Sequence, residues 1–400
     1  EAQMESIRLK DSIYWVGAKD PDLRVFDIIM RTEYGTTYNS YLIKGQKNIL
    51  IETVKVRFGG EYIEKLESLL NGEKLDYLIT NHTEPDHSGA VRNIITKYPD
   101  IQVIGTRPAY MYLKAMLNED LNFRVVSDGE ELKLGDKTFK FIIAPFLHWP
   151  DTMFSYCIED HILFSGDFLG CHYCMENGLI LNTEAGDFLS AFKYYFEVIM
   201  SPFKQHILKA LDKIKDLDIE MVGTTHGPVL VKDIDKYMGL YRHWSQPNFK
   251  NDDGKYILIG YVSAYGYTQT IAEALYERLR QNQSLDVDLI DISTYKLEAL
   301  KGLIENADGV LIGSPTFNQD ALKPVWDVLS VVCPINVRGR LAAAFGSYGW
   351  SGEAVKLLEE RLKGLKFKVV ESELRFNFTP SNIDLQTTAE FADKFAELLT

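Results

Sequence analysis

The sequence predicts an α/β chain of two domains: a mixed α/β sandwich over residues 1–250, then a doubly wound parallel sheet over residues 255–400. Three observations predict it. The chain has 400 residues, 46% of them hydrophobic, too many for one average domain. Its first half alternates short β-rich runs with polar turns, several of them close pairs, whereas its second half alternates near-continuous apolar runs with helical patterns. Between the halves, SQPNFKNDDGK (residues 245–255) combines Pro, Gly, Asn and charge with little apolar content and reads as a linker.

In the first half, NSYLIKG, KNILIETV, DYLITN, IQVIGT, KTFKFIIAP, MFSYCIED and HILFSGD are predicted strands. YLIKGQKNILIET and YCIEDHILFSG read as antiparallel hairpins, and EYIEKLESLLNGEKL as a helix. In the second half the strands YILIGYV, VDLIDI, GVLIGSP, LAAAFGS and FKVVES alternate with the helices TIAEALYERLRQ, AVKLLEERLKGL and AEFADKFAELL. No internal repeat or low-complexity tract interrupts them.

Composition narrows the function. A formal charge of −14 repels a phosphate backbone and argues against nucleic acid and anionic membrane surfaces as partners. No run approaches the roughly 18 apolar residues of a spanning helix, and the N-terminus is polar, so a cytoplasmic location is expected. Cys157, Cys171, Cys174 and Cys333 are too few for a disulfide framework in a chain this long.

The strongest chemical signal is NHTEPDHSG, where His82, Glu84, Asp86 and His87 follow a strand directly. A strand end opening into a loop can aim alternate side chains at two neighbouring points, so one short loop could serve two metal ions. Further candidate ligands stand at other strand ends: His148 in FLHWPD, Asp167 in LFSGDF and His226 in GTTHGP. His161, His206 and His243 lack such a setting and read as ordinary histidines.

This spacing resembles the metallo-β-lactamase superfamily, whose loop is His-x-His-x-Asp-His followed by a distant His, Asp and His. Glu84 replaces the middle histidine. A carboxylate is a harder ligand than imidazole and moves the site from zinc toward iron or manganese. The substitution marks the flavodiiron proteins (A-type flavoproteins), and the chain is similar to their minimal two-domain form. The resemblance implies a metallo-β-lactamase-like αββα sandwich followed by a flavodoxin-like doubly wound sheet. It implies one iron on His82, Glu84 and His148, a second on Asp86, His87 and His226, and Asp167 bridging them. His172 and Tyr195 match residues placed around the open coordination position, although an aromatic at helical spacing is as readily core. Cys171 and Cys174 form CxxC without a second pair and read as ordinary cysteines near the site entrance.

The second half opens with a strand and then SAYGYT: Ser263, Ala264, Tyr265, Gly266, Tyr267 and Thr268. A hydroxyl-rich turn at a helix N-terminus suits a terminal phosphate. It lacks GxGxxG and resembles the flavodoxin loop, which implies FMN rather than a dinucleotide. Two later loops fall where an isoalloxazine ring would lie. One supplies Ser314, Pro315, Thr316, Phe317 and Asn318, the other Ser347, Tyr348, Gly349 and Trp350.

The combination implies an oxidoreductase in which FMN takes electrons from an external donor, a rubredoxin-type protein or a reduced deazaflavin or nicotinamide system. It passes them to a non-haem diiron site that reduces O2 to water, NO to N2O, or both. A zinc hydrolase fused to a flavodoxin-like domain is the alternative, against which Glu84 argues. Because the ligands and the FMN loops lie at the active edges of two bodies joined by a linker, a head-to-tail homodimer, or a dimer of such dimers, is expected.

Overall fold

The computed structural model describes residues 6–28, 30–175, 180–246 and 254–399. The chain divides into two compact bodies, Glu1–Pro247 and Asn248–Thr400.

The first body holds two mixed sheets. One orders seven strands as Ile7–Lys10, Ile13–Trp15, Tyr41–Ile43, Ile49–Ile51, Tyr77–Ile79, Gln102–Gly105 and Phe123–Val125. Its first four strands pair antiparallel and its last four parallel. The other orders five strands, Glu131–Leu134, Lys137–Ile143, Met153–Cys157, Ile162–Gly166 and Met221–Thr224, parallel only in the last pair.

The period of two explains the layering. Tyr41, Ile43, Ile49, Ile51 and Ile79 meet Phe139, Phe141, Ile162 and Phe164 in a core between the sheets. Their neighbours Leu42, Leu50 and Leu78 point the other way, onto Tyr62, Leu66, Val91, Ile94 and Leu113 of the helices Gly59–Leu70, Val91–Lys97 and Arg107–Leu117. On the far side, Ile142, Phe154 and Leu163 pack on Phe192, Ile207, Leu211 and Tyr241 from Leu189–Tyr195, Lys204–Ile214 and Ile234–Ser245. The result is four layers, αββα.

Two differences from the sequence reading have local causes. The predicted helix through residue 75 stops at Leu70, because Asn71 and Gly72 take left-handed backbone and cap it. The strands Ile7–Lys10 and Ile13–Trp15, ahead of the first predicted strand, are short and largely polar on one face.

The second body is a parallel sheet in the order Leu285–Asp291, Lys255–Tyr261, Gly309–Gly313, Leu341–Tyr348, then Lys368–Val369 and Arg375–Asn377, both pairing with Leu341–Tyr348. This is the 2-1-3-4-5 doubly wound order. Leu258, Val310, Ile312 and Ala344 face one helical layer, while Ile257, Ile259, Leu311 and Phe345 face the other. The predicted strand FKVVES contributes only two paired residues, and pairing resumes at Arg375, outside that run. Both ends of the predicted linker belong to elements, Ser245 to a helix and Lys255 to a strand; its interior, 247–253, lies outside the described residues. Among the described residues no helix is long and apolar enough to cross a membrane.

Candidate metal centre and flavin-binding edge

The loop after Tyr77–Ile79 carries His82 and Glu84 and turns directly into the short helix Pro85–Ser88, which carries Asp86 and His87. Pro85 at the first helical position fixes that change of direction, so the two pairs of side chains diverge. His148 follows Lys137–Ile143, Asp167 follows Ile162–Gly166, and His226 follows Met221–Thr224. The last two strands are parallel neighbours, which brings Asp167 and His226 to the same end of the sheet.

All seven predicted ligands converge, in two groups: His82, Glu84, His148 and Asp167, and Asp86, His87 and His226. Glu84 Oε2 lies 2.9 Å from His148 Nε2 and 3.1 Å from His82 Nε2. Asp86 Oδ2 lies 3.0 Å from His226 Nε2 and 3.3 Å from His87 Nε2. Asp167 faces both groups: Oδ2 is 3.2 Å from His148 Nε2, and Oδ1 is 2.9 Å from His87 Nε2.

The donor set fits a pair of hard-to-borderline cations. Burial works against an ionised Glu84 and Asp167, yet the imidazoles beside them outweigh it and hold both carboxyls below the usual range. Asp86 is 5% exposed, and its Oδ1 has no hydrogen-bond partner among the described residues. Nδ1 of the fully buried His87 also lacks one, while its Nε2 faces the two carboxylates. Buried carboxylates and unpaired imidazoles are costly unless a cation takes their lone pairs.

A second ring of contacts, which the sequence reading missed, holds the donors in place. His226 Nδ1 bonds the Thr37 carbonyl at 2.6 Å. Glu52 Oε1 accepts the backbone N–H groups of Asn81 and His82 and so braces the loop, and burial pushes its carboxyl well up. Asp151 Oδ2 accepts the N–H (2.7 Å) and hydroxyl (2.8 Å) of Thr83, while its Oδ1 faces His82 Nδ1 at 3.4 Å. Thr225 donates its hydroxyl to Asp167 Oδ1 at 2.5 Å. The available signal was adjacency: Asp151 stands three residues after His148, and Thr225 directly before His226.

His172 and Tyr195 both reach the second group. The His172 ring lies 4.8 Å from that of His226 and 5.0 Å from that of Tyr195. Its Nδ1 is 2.9 Å from Thr36 Oγ1, and burial holds the ring neutral. Tyr195 also packs in the helical core, and its helix passes straight into a π-turn, Phe196–Met200, a distortion common at functional sites. His172 Nε2 and the Tyr195 hydroxyl have no partner among the described residues. The expectation for the CxxC pair needs correction: Cys171 is a core residue, 1% exposed, with its thiol pushed up by burial, and does not line an entrance. All four cysteines are free.

In the second body the three predicted loops lie at the carboxyl ends of Lys255–Tyr261, Gly309–Gly313 and Leu341–Tyr348, adjacent parallel strands. Gly266, at φ 85°, caps the helix Tyr267–Leu279, whose first turn carries no acidic side chain. Ser263 Oγ accepts the N–H groups of Gly266 and Gln269, tying the turn to the helix start. Thr268 is fully buried, its hydroxyl 2.8 Å from that of Ser347. Ser314 is turned inward, donating to Pro315 O and accepting from Leu322 N–H, and Thr316 Oγ1 accepts from Ala354 N–H. Phe317 stacks on Tyr265, and Asn318 turns the tight hairpin Thr316–Ala321 with φ 48°. Tyr265 (76% exposed) and Trp350 (77%) present large rings to solvent. Phe378, which the sequence reading did not single out, adds another exposed ring, its N–H bonded to Tyr348 O. Ala264, Tyr267, Tyr348 and Gly349 complete this edge.

Residues 36–227 match the ODP family beta lactamase and residues 259–391 match flavodoxin. The flavo-diiron protein FprA2 of Clostridium acetobutylicum is 40% identical over 398 residues, covering 98% of this chain and all of that one. A nitric oxide reductase of Moorella thermoacetica is 36% identical, covering 98% of each chain. Among solved structures, rubredoxin oxygen:oxidoreductase from Desulfovibrio gigas superposes with a TM-score of 0.69 at 26% identity, over 99% of this chain and 98% of that one.

Proposed function

The chain belongs to the flavodiiron proteins, a family of oxidoreductases, and from that membership we propose that it carries electrons from an external donor through FMN to two irons that reduce O2 to water, NO to N2O, or both. The observation that carries the reading is Glu84, held between the imidazoles of His82 and His148 where a hydrolase of this fold has a histidine. His82, Glu84 and His148 would hold one iron, Asp86, His87 and His226 the other, and Asp167 would span them through its two oxygens. When bound, two ferrous ions and a reduced flavin supply the four electrons that a full reduction of O2 needs, and two irons side by side suit the coupling of two NO molecules.

The chain's own groups do the rest. His172 Nε2 and the Tyr195 hydroxyl offer two buried, unspent polar atoms beside the second half-site, able to hold a small diatomic and to pass it a proton. Tyr38, Phe26 and Tyr195 pack around His226 and keep bulk water from it. In the second body, the Ser263 turn and the start of the helix Tyr267–Leu279 suit the FMN phosphate, and the exposed rings of Tyr265 and Trp350 suit the flavin. A head-to-tail homodimer would place the flavin of one protomer against the irons of its partner, in a cytoplasm whose reducing conditions keep the cysteines free.

Anaerobic purification with iron and flavin quantified, followed by electrode assays with O2 and NO under one artificial donor, tests this. Two irons and one FMN per chain with consumption of either gas is the expected result; zinc without iron, or FMN without turnover, overturns it.

A further inference from the structure

The two half-sites are backed by different chemistry. Behind His82 stands a carboxylate: Asp151 is fully buried, its Oδ2 takes both donors of Thr83, and its Oδ1 is left facing His82 Nδ1 at 3.4 Å. Neither of those facing atoms has another partner. Behind His226 the groups are uncharged: Thr37 O lies 2.6 Å and Thr36 Oγ1 3.3 Å from its Nδ1. The bridging candidate Asp167 is biased as well. Its Oδ1, on the side of His87, carries the Thr225 hydroxyl at 2.5 Å, while its Oδ2, on the side of His148, accepts no hydroxyl or backbone N–H of the described residues.

Each contact moves electron density in a known direction. A carboxylate behind an imidazole fixes the proton on Nδ1 and makes Nε2 a stronger donor. A carbonyl does the same without net charge, so its field at the metal falls off faster with distance. A hydroxyl donated to a ligand oxygen draws density away from the metal which that oxygen serves. All three act in the same sense. Resting on the flavodiiron reading, we propose that Asp151 and Thr225 are positioning residues that make the half-sites unequal, so that in a half-oxidised centre the ferric ion lies among His82, Glu84 and His148. The step is an outer-sphere transfer: one ferrous ion loses one electron to an added oxidant such as ferricyanide, which becomes ferrocyanide, and no bond is made or broken.

Asp151 could be a loop staple for Thr83 alone, and Asp151→Asn separates the two roles. The amide oxygen can still accept both Thr83 bonds, but the charge behind His82 is gone. The full-length chain, Asp151→Asn and Thr225→Val are each loaded anaerobically with ferrous iron, iron per chain is measured, and a redox titration follows the mixed-valent state by electron paramagnetic resonance. The constant for forming the mixed-valent state should fall on the order of tenfold in both variants, by raising the first potential in Asp151→Asn and by lowering the second in Thr225→Val. A chelator should also draw one iron of two from Asp151→Asn on the order of 10–100-fold faster than from the parent. A parent chain with two irons and variants that titrate like it, or over a wider window, overturns the inference and leaves the family reading standing. A parent chain that holds no iron overturns the reading itself. Should Asp151→Asn fail to fold, Thr225→Val decides alone, since a methyl replaces its hydroxyl with little change of shape.

Discussion

Tyr195→Phe pits the two roles of that residue against each other. The ring is fully buried in the helical core, and its hydroxyl finds no protein partner. A desolvated, unpaired hydroxyl costs about 1–3 kcal/mol, so its removal should stabilise the first body by that amount. For a body of this size each kcal/mol is worth about 2–4 °C of Tm. Tyr41→Phe is the matched control: Tyr41 is as deeply buried, but its hydroxyl donates to Thr224 O at 2.6 Å. Losing that bond should destabilise by about 1 kcal/mol. The two identical deletions should therefore move Tm in opposite directions in scanning calorimetry of the full chain. Turnover should move against stability in Tyr195→Phe, falling roughly fivefold to tenfold if one hydrogen bond to the reacting molecule is lost. A less stable Tyr195→Phe would refute the claim that the hydroxyl is unpaired; a more stable variant with full turnover would make Tyr195 a core aromatic and nothing more.

Glu84→His should shift the metal bound by chains grown with both metals from iron toward zinc, read by elemental analysis, and an unchanged iron content would remove Glu84 from the ligand set. Ser263→Ala should weaken FMN binding by about 1.5–3 kcal/mol, roughly 10–150-fold in Kd by flavin fluorescence, because the Ser263 oxygen already accepts two N–H groups and has its proton left for a phosphate. Lys65 is buried with Nζ on Gly17 O, and burial lowers its pKa to about 8. The unfolded chain binds the extra proton between pH 8 and 10.5, so stability rises with pH across that window, and Lys65→Met should remove the rise and gain about 1–2 kcal/mol at pH 7, read from urea midpoints at pH 7 and 10.

The sequence showed most plainly what is local. His82, Glu84, Asp86 and His87 stand within a span of six residues just after one strand, and the runs around Tyr41–Ile43 and Ile49–Ile51 read as strands, whose two faces both prove to be core, whereas the αββα layering came from the family resemblance. What stayed hidden depends on contacts made at long range. Glu52 looks like the polar end of an ordinary strand until His82 N–H, thirty residues on, is found on its carboxyl. Ser314 looks like a flavin-loop hydroxyl, but its partner Leu322 N–H comes from beyond a hairpin and turns it inward. Phe378 escaped notice because the strand it follows, Arg375–Asn377, is only three residues long and comes after a break in pairing.

Charge balance joins the missed residues to the ligands and gives a last prediction. On the proposed ligand set, two ferrous ions bring four positive charges into a buried site, and Glu84, Asp86, Asp167 and Asp151 bring four negative ones, with the buried Glu52 counted as neutral. The reduced centre is then neutral as a whole, which suits a low-dielectric interior and an uncharged diatomic substrate. A histidine at position 84 would leave it one charge positive. Oxidation by two electrons adds two positive charges that the chain does not match, so a small anion should bind the oxidised centre well and the reduced one poorly. Azide titrations followed by absorption should show at least tenfold tighter binding to the oxidised chain, and Glu84→Gln should recover part of the affinity in the reduced state by restoring a net positive charge. Equal azide affinity in both oxidation states of the parent chain would mean that charge neutrality is not what this arrangement of carboxylates achieves.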